Sequence, residues 1–498
     1  MDPYIFDGQD LSLKDLLAVS HGKLLLSDRI WDRLTANRSA LDDLISQSRE
    51  NYYGINTGFG SLHSVSIEGS KLEQLQINLL RSHACGVGPA APSVIIRLTL
   101  LLKIISLAQG HSGVRKETVR SLLDMYNHNI TTVVPQFGSL GASGDLAPLA
   151  HICLPLIGEG EVVYKREQMP AAKALALAGM EALTLASKEG LALINGTQYS
   201  LAWLIFALSN ARQQLQACDM VAALSVDAFD GHPSPFDEGI HAVRKQTGQI
   251  ESAAAFRAWL AGSEILAGVK KHVQDPYSFR CAPQVHGATR DVVAYATEIA
   301  NREINAVTDN PLVLSSDGNT KVISGGNFHA QPLALTSDFL SIALAELGSI
   351  SERRSYLLLD GKRELPPMLA KHPGLESGMM ICQYTAASLV NRNKTLSHPA
   401  STDSIVTSAG QEDHVSMAAN AGIKLFEIVQ NVWKLLAIEW MIACEALENR
   451  RPQKTSGKLE EKVMAFRLLV PPLTSDRSHA ADIDLAEKFL RRETSAGS

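Results

Sequence analysis

The segment 138–150 reads GSLGASGDLAPLA, with glycine and alanine on both sides of Ser143. Gly141 and Gly144 permit backbone conformations around this serine that a β-carbon would forbid. If the amide nitrogen of Gly144 attacks the carbonyl carbon of Ala142, a five-membered ring closes, and loss of water from the ring and from the Ser143 side chain leaves an exocyclic methylene. Such a methylene is an electrophile, which proteins otherwise obtain from metals or cofactors because the twenty side chains supply nucleophiles, acids and bases.

Other interpretations compete for the same segment. Taken alone, Ala142–Gly144 is typical of an ordinary turn before a helix. A hydrolase nucleophile elbow, Gly-x-Ser-x-Gly, needs glycine where Asp145 stands, so we set it aside. The longer block 138–149 resembles the signature of the aromatic amino acid lyases, and the resemblance runs over about 52–446. It implies that the Ala-Ser-Gly triplet becomes a 4-methylideneimidazole-5-one (MIO) group, with no external cofactor.

The resemblance implies the elimination of ammonia from an α-amino acid. The amine is a poor leaving group and the β-proton is barely acidic, so the reaction needs an electrophile for the amine and a base for the proton. Tyr53, in the glycine-rich loop 51–61, matches the tyrosine that takes this proton in the family. A phenol pKa of about 10 must be lowered for that role, which requires a positive or hydrogen-bonding neighbour. On local sequence alone, packing beside Tyr52 is the alternative.

Three residues match family positions that support the MIO group. Asp145 follows the triplet directly, Phe328 matches an aromatic residue behind the ring, and Asn195 matches an asparagine that contacts both the MIO group and the substrate. Without the resemblance, Asp145 is typical of a helix start and Phe328 of a core. Asn195 and the glycine after it lie in the apolar helical pattern 191–198, where glycine costs about 1 kcal/mol relative to alanine. A residue that disfavours the helix predicted around it often marks a functional site.

The segment 274–280, QDPYSFR, resembles the motif that holds the substrate in the family. Arg280 would grip the substrate carboxylate, because a guanidinium fork suits two oxygens. The resemblance implies that Tyr277 closes the site and assists proton handling, with Gln274 as a substrate contact. On local sequence alone, Arg280 is typical of a surface ion pair.

Three places resemble the histidine-specific members of the family. His83, preceded by serine, matches a residue facing the substrate side chain, although a lone histidine at a helix end is more often a cap. The segment 411–417, QEDHVSM, resembles the histidine-specific motif, in which Gln411 and Glu412 contact the substrate and Glu412 contacts its imidazole. Met380 matches a side wall of the imidazole pocket. The expected reaction is therefore conversion of L-histidine to trans-urocanate and ammonia.

A tyrosine-specific enzyme is the alternative. The Ser-His pair also occurs in some tyrosine ammonia-lyases and tyrosine 2,3-aminomutases, and Gln331 resembles the aminomutase form of the family's Phe-His-Ala-Glu-Pro motif. A lyase releases an unsaturated acid and an aminomutase returns a β-amino acid, so the product distinguishes the two.

The sequence predicts a mainly α fold. Apolar residues recur at helical spacing over 11–21, 27–48, 71–85 and 94–109, and proline is absent from 337–364, 374–398 and 400–451. Together with the resemblance, this predicts a long-helix bundle of the aromatic amino acid ammonia-lyase type over 201–498. A smaller N-terminal α domain over 1–200 carries the MIO-forming segment, with no clear linker between the two. Minor β hairpins are expected near 161–166 and over 311–323. The resemblance also implies a homotetramer whose active sites are shared between subunits.

Composition limits the remaining functions. The 498 residues are 45% hydrophobic and 20% charged, with a net charge of −6 and no basic run that indicates nucleic-acid binding. The apolar stretches 94–108 and 191–208 carry polar residues that disfavour a membrane span.

No secretory signal is visible, so we expect a cytoplasmic protein. Six scattered cysteines lack zinc-site spacing, so we expect no metal and assign them to the core.

The ring closure gives a test that needs no substrate. The intact mass of the purified protein should be lower by two waters than the mass of the unmodified chain, and Ser143→Ala should remove this difference and abolish turnover while the protein still folds. An unmodified mass in well-folded protein would instead indicate a non-catalytic helical scaffold. Retained turnover in Ser143→Ala would overturn the interpretation.

Overall fold

The structure is a computed structural model that describes residues 3–47, 50–57, 67, 71–316 and 319–495. These residues form nineteen α-helices, which confirms the mainly α prediction. In chain order, helices α1 to α19 span Leu13–Ser20, Asp28–Gln47, Leu72–His83, Ser93–Ala108, Lys116–Asn127, Leu146–Cys153, Ala171–Ala178, Glu189–Ile194, Gln198–Ala228, Glu238–Arg244, Thr247–Leu260, Glu264–Ala267, Tyr277–Arg280, Ala282–Ile304, Gln331–Leu359, Met380–Leu396, Ala418–Glu448, Gly457–Arg467 and Ala480–Ser495.

The strands are short and form small separate sheets. In chain order, β1 to β9 span Tyr4–Phe6, Leu24–Leu26, Val87–Ala90, Thr131–Thr132, Pro135–Phe137, Glu161–Tyr164, Glu167–Pro170, Leu312–Ser316 and Asn319–Ile323. β1 pairs with β2 in parallel, β3 pairs with β5, β6 lies between β4 and β7, and β8 pairs with β9. The predicted hairpins are confirmed as β6–β7 and β8–β9. The second has longer strands than predicted, and its turn, 317–318, lies outside the described residues.

Contacts divide the chain into two compact units, each built from three segments. The first unit contains Met1–Phe206, Thr297–Asp338 and Pro399–Ile423, and the second contains the rest. This grouping in space differs from the predicted consecutive domains, 1–200 and 201–498, which stay a prediction. The chain passes from one unit to the other five times. Four crossings lie inside α9, α14, α15 and α17 and so contain no linker, and the fifth, between residues 398 and 399, follows the end of α16.

The helical pattern 191–198 is interrupted in the structure, against the sequence prediction. α8 ends at Ile194, Asn195 is extended with φ −88° and ψ 136°, and Gly196 has φ +130°. Gly196 forms a β-bridge with Gly144, and its carbonyl accepts a hydrogen bond from the Asp145 amide at 2.8 Å. The glycine therefore serves a backbone contact between distant segments, which a continuous helix would prevent.

Two other predicted elements also differ. In the proline-free stretch 400–451 only α17 is a long helix, and the preceding chain is a loop in which Ala409 and Met417 have positive φ. The segment 274–280 is half loop and half helix, because Tyr277–Arg280 forms one helical turn. In the glycine-rich loop 51–61, residues 53–56 form turns, and 58–61 lie outside the described residues.

All six cysteines are free. Cys153, Cys218, Cys382 and Cys444 are buried, as predicted for core residues. Cys281 is half-buried and Cys85 is exposed, so the prediction is wrong for Cys85, which follows the end of α3 rather than lying within a helix.

The second unit has a large apolar core. Trp440 of α17 packs against Phe466 of α18 and Phe489 of α19, with ring centroids 6.1 and 5.8 Å from the tryptophan. All three rings are buried. The chain after residue 452, for which the sequence resemblance predicts nothing, therefore completes this core.

One long helix satisfies the length and composition of a membrane span. Among the described residues this is α15, in which 67% of the most apolar window is buried inside the fold. Burial of this kind is typical of a core helix, because such a helix is apolar on most of its faces.

Close contact between α11 and α14 gives a stability test. A β-carbon on Gly287 would overlap the backbone of Gln249 and lie 2.7 Å from the carbonyl carbon of Gly248. Gly287→Ala should therefore lower the free energy of unfolding by about 1–3 kcal/mol, although alanine normally stabilises a helix. Gly457, at the start of α18, has no atoms within 4 Å of the same position, so Gly457→Ala is the control. Equal denaturation midpoints for the two variants would contradict this packing.

Candidate active site

A cavity of about 1050 Å³ lies in the first unit beside Ser143. Its wall contains eight of the residues singled out in the sequence, namely Tyr53, His83, Ala142, Ser143, Asn195, Phe328, Gln411 and Glu412. These residues come from six separate stretches of the chain, so the fold brings them together. The structure places Gln274, Tyr277, Arg280 and Met380 in the second unit.

The Ala-Ser-Gly triplet is held in a tight backbone turn. Gly141 has φ +61° and Gly144 has φ +75°, both in the region that favours glycine. A β-carbon on Gly144 would lie 2.6 Å from the amide nitrogen of Gly196. On the other side, the Ser416 hydroxyl donates to the Gly141 carbonyl at 2.9 Å. The loop therefore has the glycines and the close backbone support that ring closure requires, so these residues fit an MIO group.

Asp145 is fully buried and joins this loop to the start of α9. Its carboxylate accepts hydrogen bonds from the Ser139 hydroxyl at 2.7 Å, from the Ser200 hydroxyl at 2.7 Å and from the Ser200 amide at 2.8 Å. Burial raises the carboxyl pKa, and these hydrogen bonds act in the opposite direction. Asp145 stands at the N-cap of α6, but its side chain makes no capping bond. The helix-start interpretation therefore explains its position and not its contacts.

Two polar side chains contact the backbone or side chain of Ser143. The Asn195 amide donates to the Ser143 carbonyl at 2.6 Å, and the Ser143 hydroxyl lies 3.4 Å from Glu412 Oε1. Among the described residues, Asn195 Oδ1 and Glu412 Oε2 are buried without a hydrogen-bond partner. Buried acceptors are nearly always paired in folded proteins, so these two oxygens are available to donors from a bound ligand.

His83 is the last residue of α3 and is half-buried. Its Nδ1 donates to the Leu79 carbonyl at 2.9 Å, which is the helix-end contact expected of a cap. Burial lowers the imidazole pKa, and this hydrogen bond opposes the shift. The Leu79 carbonyl can only accept, so Nδ1 carries a proton, and the lowered pKa favours the neutral ring, in which Nε2 is an acceptor.

His329 and His414 also line the cavity, although neither has a role predicted from the sequence. Their rings are stacked with centroids 5.8 Å apart, and His329 Nε2 donates to the His414 carbonyl at 3.2 Å. Both residues lie inside motifs recognised in the sequence, His329 in the counterpart of Phe-His-Ala-Glu-Pro at 328–332 and His414 in 411–417. Their position in those motifs is the feature of the sequence that could have identified them as site residues. The contact between the two histidines depends on the tertiary structure, so the sequence does not predict it.

The segment 274–280 has its own support in the second unit. The Arg280 guanidinium lies 4.6 Å from the centre of the Tyr277 ring, which is 68% exposed. Arg363 donates to the Gln274 carbonyl at 3.1 Å and to the Asp275 carboxylate at 3.0 Å. Met380 begins α16. The described residues give Arg280 no carboxylate partner within 4 Å, so they do not support the surface ion pair that local sequence indicates.

A cluster with metal-ligating atom types lies elsewhere in the second unit. Cys218, Asp219 and His286 are buried close together. The Asp219 carboxylate already accepts hydrogen bonds from His286 at 2.8 Å, from Ser252 at 2.8 Å and from Arg290. A guanidinium in contact with the carboxylate opposes a cation there, so this cluster is an internal hydrogen-bond network.

Comparisons with known proteins agree with this geometry. The sequence pattern described as aromatic amino acid lyase matches residues 11–467, a longer span than the resemblance in the sequence motifs. A curated histidine ammonia-lyase from Geobacillus sp. (strain WCH70) is 45% identical, over 98% of this chain and 96% of that protein.

Solved structures share the fold over almost the whole chain. Histidine ammonia-lyase from Trypanosoma cruzi is 40% identical with a TM-score of 0.91, covering 99% of this chain and 94% of that one. Tyrosine aminomutase from Streptomyces globisporus is 34% identical with a TM-score of 0.93, covering 99% and 98%. The pattern match, the identity over nearly full length and the Ala-Ser-Gly turn beside the cavity show that this chain belongs to the aromatic amino acid lyase family.

Proposed function

We propose that this protein is a histidine ammonia-lyase, a carbon–nitrogen lyase that converts L-histidine to trans-urocanate and ammonia in the cytoplasm. The proposal rests on the position of Glu412. Its carboxylate lies beside Ser143 and has one buried oxygen without a hydrogen-bond partner among the described residues. An imidazole N–H is a matching donor for that oxygen. The curated histidine ammonia-lyases at 45–48% identity support the same substrate.

Members of the family generally depend on an MIO group, and we propose that Ala142, Ser143 and Gly144 form it here. A bond forms between the Gly144 nitrogen and the Ala142 carbonyl carbon, and two waters leave. The positive φ of Gly144 and the backbone contact with Gly196 support a turn compact enough for this closure. Once formed, the group supplies an electrophilic methylene for the substrate amine.

The remaining chemistry is assigned to the chain's own side chains. Tyr53 takes the β-proton, the Cα–N bond breaks and the electron pair of the C–H bond forms the double bond. Neutral His83 offers Nε2 as an acceptor, and Glu412 binds and orients the imidazole. Asn195 donates to the Ser143 carbonyl, which becomes the ring carbonyl, and this hydrogen bond draws electron density from the conjugated methylene.

We also propose that Gln274, Tyr277, Arg280 and Met380 act in a site shared between subunits of a homotetramer. Tyr277 is 68% exposed. Exposed rings also lie along α14, α15 and α16 in the second unit, namely Tyr295, Phe339, Tyr356 and Tyr384. Exposed apolar rings on long helices are typical of surfaces that bind another protein chain.

A tyrosine-specific lyase or 2,3-aminomutase is the second candidate. Gln331 favours it, together with the aminomutase from Streptomyces globisporus at 34% identity. Glu412 favours histidine instead, because it lies in the segment 411–417, which resembles the histidine-specific motif of the family.

The substrate proposal is tested at Glu412. Wild-type protein should produce urocanate from L-histidine, measured by its ultraviolet absorbance, and Glu412→Gln should lower kcat/KM roughly 10- to 150-fold, because a hydrogen bond to a charged group contributes about 1.5–3 kcal/mol. Glu298→Gln, which changes an exposed carboxylate, should leave kcat/KM unchanged. Turnover of tyrosine without turnover of histidine would transfer the assignment to the second candidate.

The shared site is tested by complementation. Tyr53→Phe and Arg280→Met should each be inactive alone, since one lacks the base and the other the carboxylate fork. If Tyr53 and Arg280 of one site come from different subunits, co-expression of the two variants should restore part of the activity, because some sites then receive both natural residues. No recovery in mixed oligomers, verified by mass spectrometry with differently tagged chains, would contradict the shared site.

A further inference from the structure

Lys103 is a buried lysine close to the candidate site. It lies in the middle of α4, in the first unit, and is 1% exposed. The sequence indicates only that it interrupts an apolar stretch. A buried lysine is uncommon because its charge loses hydration, so it is normally retained where its ammonium group has specific partners.

Both hydrogen bonds of Lys103 go to the end of α8. Its Nζ donates to the Asn195 carbonyl at 2.7 Å and to the Ala192 carbonyl at 3.1 Å. The last carbonyls of a helix have no amide partner within the helix and carry the negative end of its dipole, so a cation stabilises them. Lys103 therefore fixes the backbone at the residue where the predicted helix is broken.

The charges around Lys103 distinguish it from a second buried lysine. Lys188 is also fully buried, and its Nζ forms an ion pair with Asp309 at 2.9 Å. Burial lowers the pKa of Lys103 to about 8, the charge of Asp309 opposes the shift, and Lys188 adds to it. Lys103 is thus mostly protonated at pH 7, and its direct contacts are two backbone carbonyl groups at the end of α8.

A short chain of contacts connects Lys103 to Ser143. Lys103 binds the carbonyl of Asn195, and the side-chain amide of Asn195 donates to the Ser143 carbonyl at 2.6 Å. The next residue, Gly196, forms the backbone bridge with Gly144. Displacement of the Asn195 backbone would therefore move both the donor to Ser143 and the surface against which Gly144 packs.

We propose that Lys103 is a positioning residue that holds Asn195 against the Ala-Ser-Gly turn, both for ring closure and for turnover. This proposal rests on the proposed function, because it assigns Lys103 to the formation and use of the MIO group. Lys103 acts through Asn195 and does not itself contact the substrate.

The test compares Lys103→Met with Lys188→Met. Each removes one buried ammonium group, and both should lower the melting temperature. Only Lys103→Met should leave a substantial fraction of folded chains without the two-water mass loss. In its cyclised fraction kcat should fall roughly tenfold or more with KM nearly unchanged, because an ill-placed Asn195 no longer stabilises the transition state. Lys188→Met should retain the full mass loss and the wild-type kcat per folded molecule.

Lys103→Gln keeps a neutral donor on a shorter side chain and carries the same test if Lys103→Met does not fold. Partial cyclisation with reduced kcat in Lys103→Gln supports the proposal. Complete cyclisation and wild-type kcat in a folded Lys103 variant would overturn it, as would equal defects in Lys188→Met. These outcomes differ from failure of the proposed function, in which the wild-type protein itself shows no mass loss and forms no urocanate.

Discussion

The candidate site depends on a backbone contact between two glycines, Gly144 and Gly196. Neither position suits a β-carbon, because an added atom at Gly144 would overlap the Gly196 backbone and Gly196 has φ +130°, which residues with a side chain rarely adopt. This contact ends α8 and places Asn195 beside Ser143. It also lets the Asp145 amide bond to the Gly196 carbonyl. The arrangement around the triplet therefore follows from two residues that lack side chains.

Buried polar groups surround this contact and fix it in place. Asp145 is satisfied by two serines from different segments, and Lys103 is satisfied by two carbonyls at the end of α8. In a low-dielectric interior each such group is costly unless it is paired, so displacement of one segment would leave charges without partners. The same interactions that rigidify the turn leave Asn195 Oδ1 and Glu412 Oε2 as acceptors without partners in the described structure.

Local pattern predicted much of the fold. Helical periodicity gave the positions of α2, α3 and α4 to within two residues, and the turn signals gave both hairpins. Prediction from local pattern failed where long-range packing outweighed the helix propensity of the segment. The break at Asn195 and the loop before α17 both occur in apolar or proline-free sequence, and the residues that impose them lie far away in the chain. Ser416, for example, is held by the carbonyl of Gly141.

The sequence by itself determined which chemistry is available, because the Ala-Ser-Gly triplet, its flanking glycines and the motif around Glu412 are fixed by residue type and spacing. It also determined the helical class, since periodicity is a local property. Only the tertiary structure decided that burial lowers the imidazole pKa of His83, that Asp145 binds serines rather than capping its helix, and that Lys103 donates to the Asn195 carbonyl. These properties arise from burial and from contacts between residues distant in the chain, and a local pattern contains neither.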